Sequence, residues 1–281
     1  SGTIENLDRI YFDKPAVIGA PRFGDTFTFS GRLSNIGKLE VGGATKLEIS
    51  GAGAAADISQ IGSINVWGTL DLGLESATLN NLYAGGSVGT SGTLTVSGSN
   101  YWGSLQAAAG ILFNGVNSIG GTLLGPVNVM AGSTLTTTNA SVFSTNSTIT
   151  IDGDYTMQTG TKIERLAGSG NIHLASGQAL TIDSATNSNF SGQIDGGGGL
   201  VKNGTGILTL TGANTYTGGT TLYMGTLIGN AQSVQGNIYN GSNLVFDQAS
   251  DGTYAGALSG YGQLTKQGTG KLSFTGANSY Y

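Results

Sequence analysis

The chain has 281 residues: 10% are charged, 38% are hydrophobic, 50 are glycine and none is cysteine, with a formal net charge of −5. So little charge beside so much apolar content excludes a self-repelling disordered chain, and the lack of cysteine excludes disulfide staples, thiolate nucleophiles and thiolate metal ligands. The 11 lysines and arginines against 16 acids leave no electrostatic footprint for nucleic acid, and no apolar run approaches the roughly 20 residues of a membrane helix.

Residues 1–30 hold Pro15 and Pro21, the aromatics Tyr11, Phe12, Phe23, Phe27 and Phe29, and the cations Arg9, Lys14 and Arg22. No basic stretch followed by an apolar one opens the chain at Ser1, so any export signal or anchor is expected outside this fragment. A stack of strands exposes unpaired edges and core at its end. Residues 1–30 are therefore expected to form an N-terminal cap or irregular first coils.

From residue 31 onward short apolar-polar-apolar triplets recur. They include Leu39-Glu40-Val41, Leu47-Glu48-Ile49, Ile64-Asn65-Val66, Leu70-Asp71-Leu72, Leu94-Thr95-Val96 and Val127-Asn128-Val129. Ile149-Thr150-Ile151, Leu180-Thr181-Ile182 and Leu208-Thr209-Leu210 continue the series. Alternation places the outer two side chains on one face of a strand and the middle one on the other. Gly, Asn and Ser between the triplets supply turns. Strands this short do not suit a sandwich. They suit stacked coils, so the expected fold is all-β: a right-handed parallel β-helix, or β-solenoid, over 31–281.

Residues 76–151 contain no Asp, Glu, Lys, Arg or His, and Tyr83, Tyr101, Trp102, Phe113 and Phe143 are interspersed among Ser, Thr, Asn and Gly. Sheet surfaces are ordinarily protected by charge. A hydroxyl-and-amide face has no long-range repulsion and can bond to glycans or to a copy of itself. Thr95 and Asn128, central in their triplets, are the candidate binding residues, with Tyr101 and Trp102 as candidate stacking groups. The bland alternative is a neutral spacer, with Trp102 in the core or over a turn.

Catalytic signals are weak. Gly85-Gly86-Ser87-Val88-Gly89 matches the nucleophile-elbow pattern, but a strand-like run follows where that motif needs a helix; it is read as a turn. Asp152-Gly153-Asp154 supplies too few oxygens for calcium and is also read as a turn. Glu40, Glu48 and Asp71 lie at triplet centres beside Lys38 and Lys46, which favours a solvated ladder over a glycosidase pair. A carboxylate pair assembled across coils stays open. His173, between Ile172 and Leu174, is expected to point outward. No catalytic residue, cofactor or metal is expected.

Near the C-terminus the segment Leu200–Tyr216 returns 64 residues later as Leu264–Tyr280. The correspondence reaches upstream to Gly192/Gly256, Ile194/Leu258 and, with a two-residue gap, Gly170/Gly236. With roughly 20 residues per coil, the period is about three coils. The two copies, over 170–281, are expected to superpose as equivalent coils.

The run Gly204-Thr-Gly-Ile-Leu-Thr-Leu-Thr-Gly-Ala-Asn-Thr-Tyr-Thr-Gly-Gly-Thr220, followed by Gly225-Thr-Leu227, resembles the passenger-associated transport repeat of type V autotransporters. The likeness covers residues 166–281; Tyr281 departs from it where Thr217 stands in the first copy. The resemblance implies a secreted parallel β-helical passenger at the bacterial cell surface, exported through the outer membrane, with a β-barrel anchor outside this fragment. Its expected role is that of an adhesin, not an enzyme, binding host or bacterial surface ligands, a glycan or a second copy. The family also holds toxins and hydrolases. A vacuolating-type toxin passenger and a polysaccharide-degrading enzyme therefore stay open.

Overall fold

The computed structural model describes residues 2–7, 10–12, 25–29, 31–41, 45–49, 61–66, 69–72, 77–84, 86–90, 93–98, 100–101, 103–140, 142–143 and 147–281. The chain is an all-β solenoid of short parallel strands, with no helix among the described residues. It divides into two compact units, Ser1–Leu135 and Thr136–Tyr281.

In the first unit the chain visits three sheets in turn. One successive turn takes Leu82–Ala84, Ser87–Thr90 and Thr93–Ser97, and the next takes Asn100–Tyr101, Ser104–Ala107 and Gly110–Asn114. Each strand pairs in parallel with its counterpart one turn later, as Val88 with Leu105 and Leu94 with Ile111. The triplets dictate which face turns in. Leu39, Val41, Leu47, Ile64, Val66, Leu70, Leu94 and Val96 are buried, whereas Asp71 and Thr95 are half-exposed. Early strands join the same sheets: Gly2–Leu7 pairs with Gly31–Val41, and Asp25–Phe29 with Thr45–Ile49. Pro15, Pro21 and Phe23, on which the cap reading leaned, lie outside the described residues.

The second unit also has three sides. Leu180, Leu200, Thr220, Ile238 and Leu258 succeed one another on one sheet, and Leu208, Leu227, Leu244 and Leu264 on another. Leu180, Ile182, Leu208, Leu210, Leu227 and Leu244 are buried, and Thr181 and Thr209 between them are half-exposed. On the last turn Leu272, Ser273 and Phe274 are all half-buried. Phe274 still packs inward, its ring 5.6 Å from Phe246 and 6.1 Å from Tyr254.

The 64-residue repeat does not fill a whole number of turns. Three turns on one sheet carry Leu200 to Leu258, whereas the repeat carries Leu200 to Leu264, which lies on the next sheet. Likewise Ile194 and its counterpart Leu258 lie on different sheets. The copies are alike in local bonding but occupy successive faces. Asn214 Oδ1 accepts the Ile194 amide at 2.7 Å, and Asn278 Oδ1 accepts the Leu258 amide at 2.8 Å. Lys202 and Lys266 each donate to the carbonyl two residues on, at Gly204 and Gly268.

Stacked backbone explains the repeat's glycines. A Cβ at Gly192 would lie 1.9 Å from the Gly170 carbonyl oxygen, and at its counterpart Gly256, 2.0 Å from that of Gly236. Gly206 and Gly270 are blocked in the same way, at 2.2 Å from Thr186 and Ser250 backbone atoms. Gly204 and Gly268 also meet backbone closely, but only Gly268 has a positive φ, +76°.

Large buried tyrosines satisfy their hydroxyls within the core. Tyr155 and Thr137 share a 2.9 Å hydrogen bond, and Tyr216 and Thr220 one of 2.7 Å. Burial pushes the Tyr155 phenol up from 10.0 to about 12, against the opposing bonds to Thr137 and Thr161. A raised phenol stabilises the fold fully below its unfolded pKa and loses that contribution as pH rises through the folded value. For Tyr155 the loss is on the order of 3 kcal/mol. Urea unfolding at pH 9 and pH 12 is expected to show falling stability across this window, and Tyr155→Phe to flatten part of the fall.

Candidate functional site

Thr95 and Asn128 come together on one outward column. In the third sheet of the first unit the register runs Thr78, Thr95, Leu112, Asn128. Adjacent positions in such a column are one strand spacing apart, about 4.8 Å. Thr95, Leu112 and Asn128 are half-buried, so the column is a shallow mixed strip rather than a fully exposed polar ladder. Leu112 interrupts the hydroxyl-and-amide pattern. The Asn128 Oδ1 is buried without a hydrogen-bond partner among the described residues.

Tyr101 does not join this surface, which corrects the expectation that it stacks on a ligand. It is fully buried, and its hydroxyl donates to the Gly86 carbonyl at 2.7 Å. The register explains why: Tyr101 pairs with Ile119, another buried position. Burial raises its phenol's pKa. Trp102 lies outside the described residues. An aromatic that is exposed on that sheet is Tyr83, 41% accessible and in register with Asn65 and Asn100. The run Thr95-Leu112-Asn128 carries no charge, whereas the register of Tyr83 continues through Asn65 to Glu40.

The second sheet of the first unit carries the remaining sequence candidates. Ser87 begins the strand Ser87–Thr90 rather than sitting in a turn, and another strand follows at Thr93–Ser97. The helix a nucleophile elbow requires is therefore replaced by sheet. Glu48 and Asp71 are Cα partners on neighbouring strands, with Lys46 and Thr69 paired two positions away. A shallow depression here is lined by Thr69, Asp71, Ser87, Gly89, Ser104 and Gln106.

In the second unit His173 is exposed, as the alternation indicated. Its Nδ1 lies 2.6 Å from Asp195 Oδ1, one turn on, and Thr156 is its register partner on the other side. Asn171 Nδ2 donates to Asp154 Oδ1 at 2.8 Å in the adjacent column. Lys162 pairs with Asp183, whose Oδ1 also accepts from Asn203. These are polar ladders of a solvated sheet face. Among the described residues, no three His, Asp or Glu side chains converge to hold a metal ion.

Lys202 differs from these solvated cations. It is 1% exposed, and its Nζ donates to the carbonyls of Gly204 and Met224. Burial lowers its pKa, while the nearby Asp183 carboxylate acts the other way. Its ammonium fastens two successive corners of the solenoid.

One surface feature escaped the sequence reading. Tyr223, Tyr239 and Tyr261 are 55%, 38% and 70% exposed on successive turns. Their ring centroids are 6.2 Å and 6.3 Å apart, with interplanar angles of 57° and 83°. Tyr223, Gly241, Tyr261 and Tyr281 occupy matching corner positions. Their amides donate to Lys202, Leu222, Asn240 and Gly260 carbonyls respectively. Gly241 leaves a gap in this column, and the Tyr239 ring leans into it: a Cβ on Gly241 would lie 3.4 Å from Tyr239 Cε1. A compositional clue was present, since no charged residue or histidine occurs between Lys202 and Asp247.

Comparison with known proteins adds to this geometry. The passenger-associated-transport-repeat family matches residues 200–228 and 264–280. The chain is 33% identical over 174 residues to the adhesin BmaC autotransporter of Brucella suis biovar 1 (strain 1330). That similarity covers 49% of this chain and 5% of the relative. No solved structure matches the chain significantly.

Proposed function

We propose that this chain is a segment of an autotransporter passenger, exported through the outer membrane to the cell surface, and that it is an adhesion module whose uncharged sheet faces hold a surface ligand. The observation that carries this reading is the charge-free outward run Thr95-Leu112-Asn128 on one sheet of the first unit, with the exposed Tyr83 on another. The printed description of the Brucella relative as an adhesin supports it. The ligand is a host or bacterial surface molecule: a glycan or a second copy of the chain. No catalytic step is assigned.

Single contacts on such a face are weak, about 0.5–1.5 kcal/mol net per hydrogen bond. Repetition along stacked turns, and many copies per cell, raise the total through avidity. Carboxylates placed in the column would repel a second copy and would have to be desolvated against a neutral ligand. Thr95→Asp combined with Asn128→Asp is therefore expected to cut cell adhesion or self-association at least about tenfold, or 1.4 kcal/mol. The check is binding of the purified chain to cells, with circular dichroism confirming that the variant is folded. Undiminished adhesion by a folded double variant places the adhesive face elsewhere.

A further inference from the structure

We propose that Tyr223, Tyr239 and Tyr261 form a binding strip for an extended, uncharged glycan chain, running along the stacking direction of the second unit. This site is separate from the first-unit columns and does not depend on their role.

Large apolar side chains at the surface are ordinary when scattered singly, but a contiguous exposed group marks an interaction surface. Here three rings on successive turns touch one another, and Met224 beside the first is 46% exposed. Tyr281 occupies the next corner position, 95% exposed. At the intervening corner position Gly241 adds no side chain to the strip; a Cβ there would stand 3.1 Å from the Leu222 carbonyl oxygen and in ordinary contact, 3.4 Å, with the Tyr239 ring.

The surroundings select the ligand's chemistry. From Asn203 to Phe246 the chain contributes no charged side chain. The nearest buried cation, Lys202, is committed to the Gly204 and Met224 carbonyls. Between Lys202 and Asp247, the stretch that carries Tyr223 and Tyr239, an anionic polymer would find no counter-charge and a cationic one no carboxylate. An uncharged glycan fits, because its rings offer C–H faces to aromatic rings while its hydroxyls seek directional partners. Asn243 and Gln263, exposed register partners just beyond the corner, present amides beside the rings. The Tyr239 phenol's pKa is raised, first by its hydrogen bond to Tyr261. The step between rings is one turn, comparable with one sugar residue of an extended chain.

The test is affinity electrophoresis of the intact chain through gels carrying neutral polysaccharides: hydroxyethylcellulose, starch, mannan, galactan and a β-1,3-glucan. Alginate serves as the anionic comparison. Retardation is expected with at least one neutral polymer, unchanged by salt, and not with alginate. Replacing all three rings, Tyr223→Ala with Tyr239→Ala and Tyr261→Ala, is expected to weaken it at least about tenfold. The corresponding three Tyr→Phe changes keep the faces and are expected to retain most of the binding, which separates ligand contact from any loss of folding. Loss of retardation in the Thr95→Asp, Asn128→Asp variant, with retention in the triple Ala variant, would place glycan binding on the first-unit face and overturn this proposal, so failure of that face and failure of this strip are distinguishable. Absence of retardation by every neutral polymer, or equal retardation of the Ala variant, overturns the proposal. So does loss of self-association, without loss of glycan binding, in the Ala variant, because a second copy would then be the occupant.

Discussion

Leu210→Ala is expected to cost about 2–5 kcal/mol of stability, whereas Thr209→Ala, one residue away, is expected to cost no more than about 0.5 kcal/mol. Leu210 is 1% exposed at the end of the strand Ile207–Leu210, and Thr209 is half-exposed on the outer face. The difference reflects alternation alone, since both sit in the same strand with the same backbone pairing to Ser188–Phe190 and Thr226–Gly229. Truncating Leu210 removes buried methyl groups and leaves a cavity between turns that close only partly around it. Because each turn contacts chiefly its neighbours, the loss is concentrated in the surrounding turns. Urea titration followed by circular dichroism compares the two variants, and equal sensitivity at positions 209 and 210 would contradict the inward assignment.

Gly192→Ala is expected to be at least as damaging, about 3 kcal/mol or more, although it adds only a methyl group. The added Cβ would lie 1.9 Å from the Gly170 carbonyl oxygen and 2.7 Å from the Phe190 ring. Gly212 stands above in the same relation, its Cβ position 1.8 Å from the Gly192 oxygen. Backbone at a stacked corner cannot step aside without breaking the bonds made there, such as Gln193 N to Gly170 O at 3.1 Å. By contrast Gly177→Ala meets nothing within 4 Å and carries only the strain of its φ of +72°, about 1–2 kcal/mol. Thermal unfolding of the two alanine variants ranks them. A milder effect at Gly192 than at Gly177 would contradict close stacking at that corner.

The triplets made the inward face legible because a period of two is local: Leu208, Thr209 and Leu210 report their orientation without knowledge of their neighbours. What depends on turn length was not legible. Residues paired across turns are separated by 17 between Thr148 and Arg165 but by 22 between Asn171 and Gln193. The sequence therefore could not say that His173 meets Asp195, that Tyr239 leans between Tyr223 and Tyr261, or that a 64-residue repeat advances one face beyond three turns. Tyr101 shows a different limit. An aromatic among Ser and Asn suggests a surface, but its alignment with Ile119 turns it inward, and its hydroxyl is satisfied by a backbone carbonyl instead of water. Charge-free composition marked 76–151 and was equally present at 203–246, where it went unused.

The central claim is that this chain adheres through uncharged faces. Coulombic attraction between exposed groups is screened by salt, whereas hydrogen bonding and aromatic packing are largely indifferent to it. The most direct test is adhesion of the purified wild-type chain to cells, titrated from about 0.01 M to 1 M salt, over which the screening length falls from about 30 Å to about 3 Å. Near-constant adhesion across that range is the predicted result, and a steep decline with rising salt would contradict it.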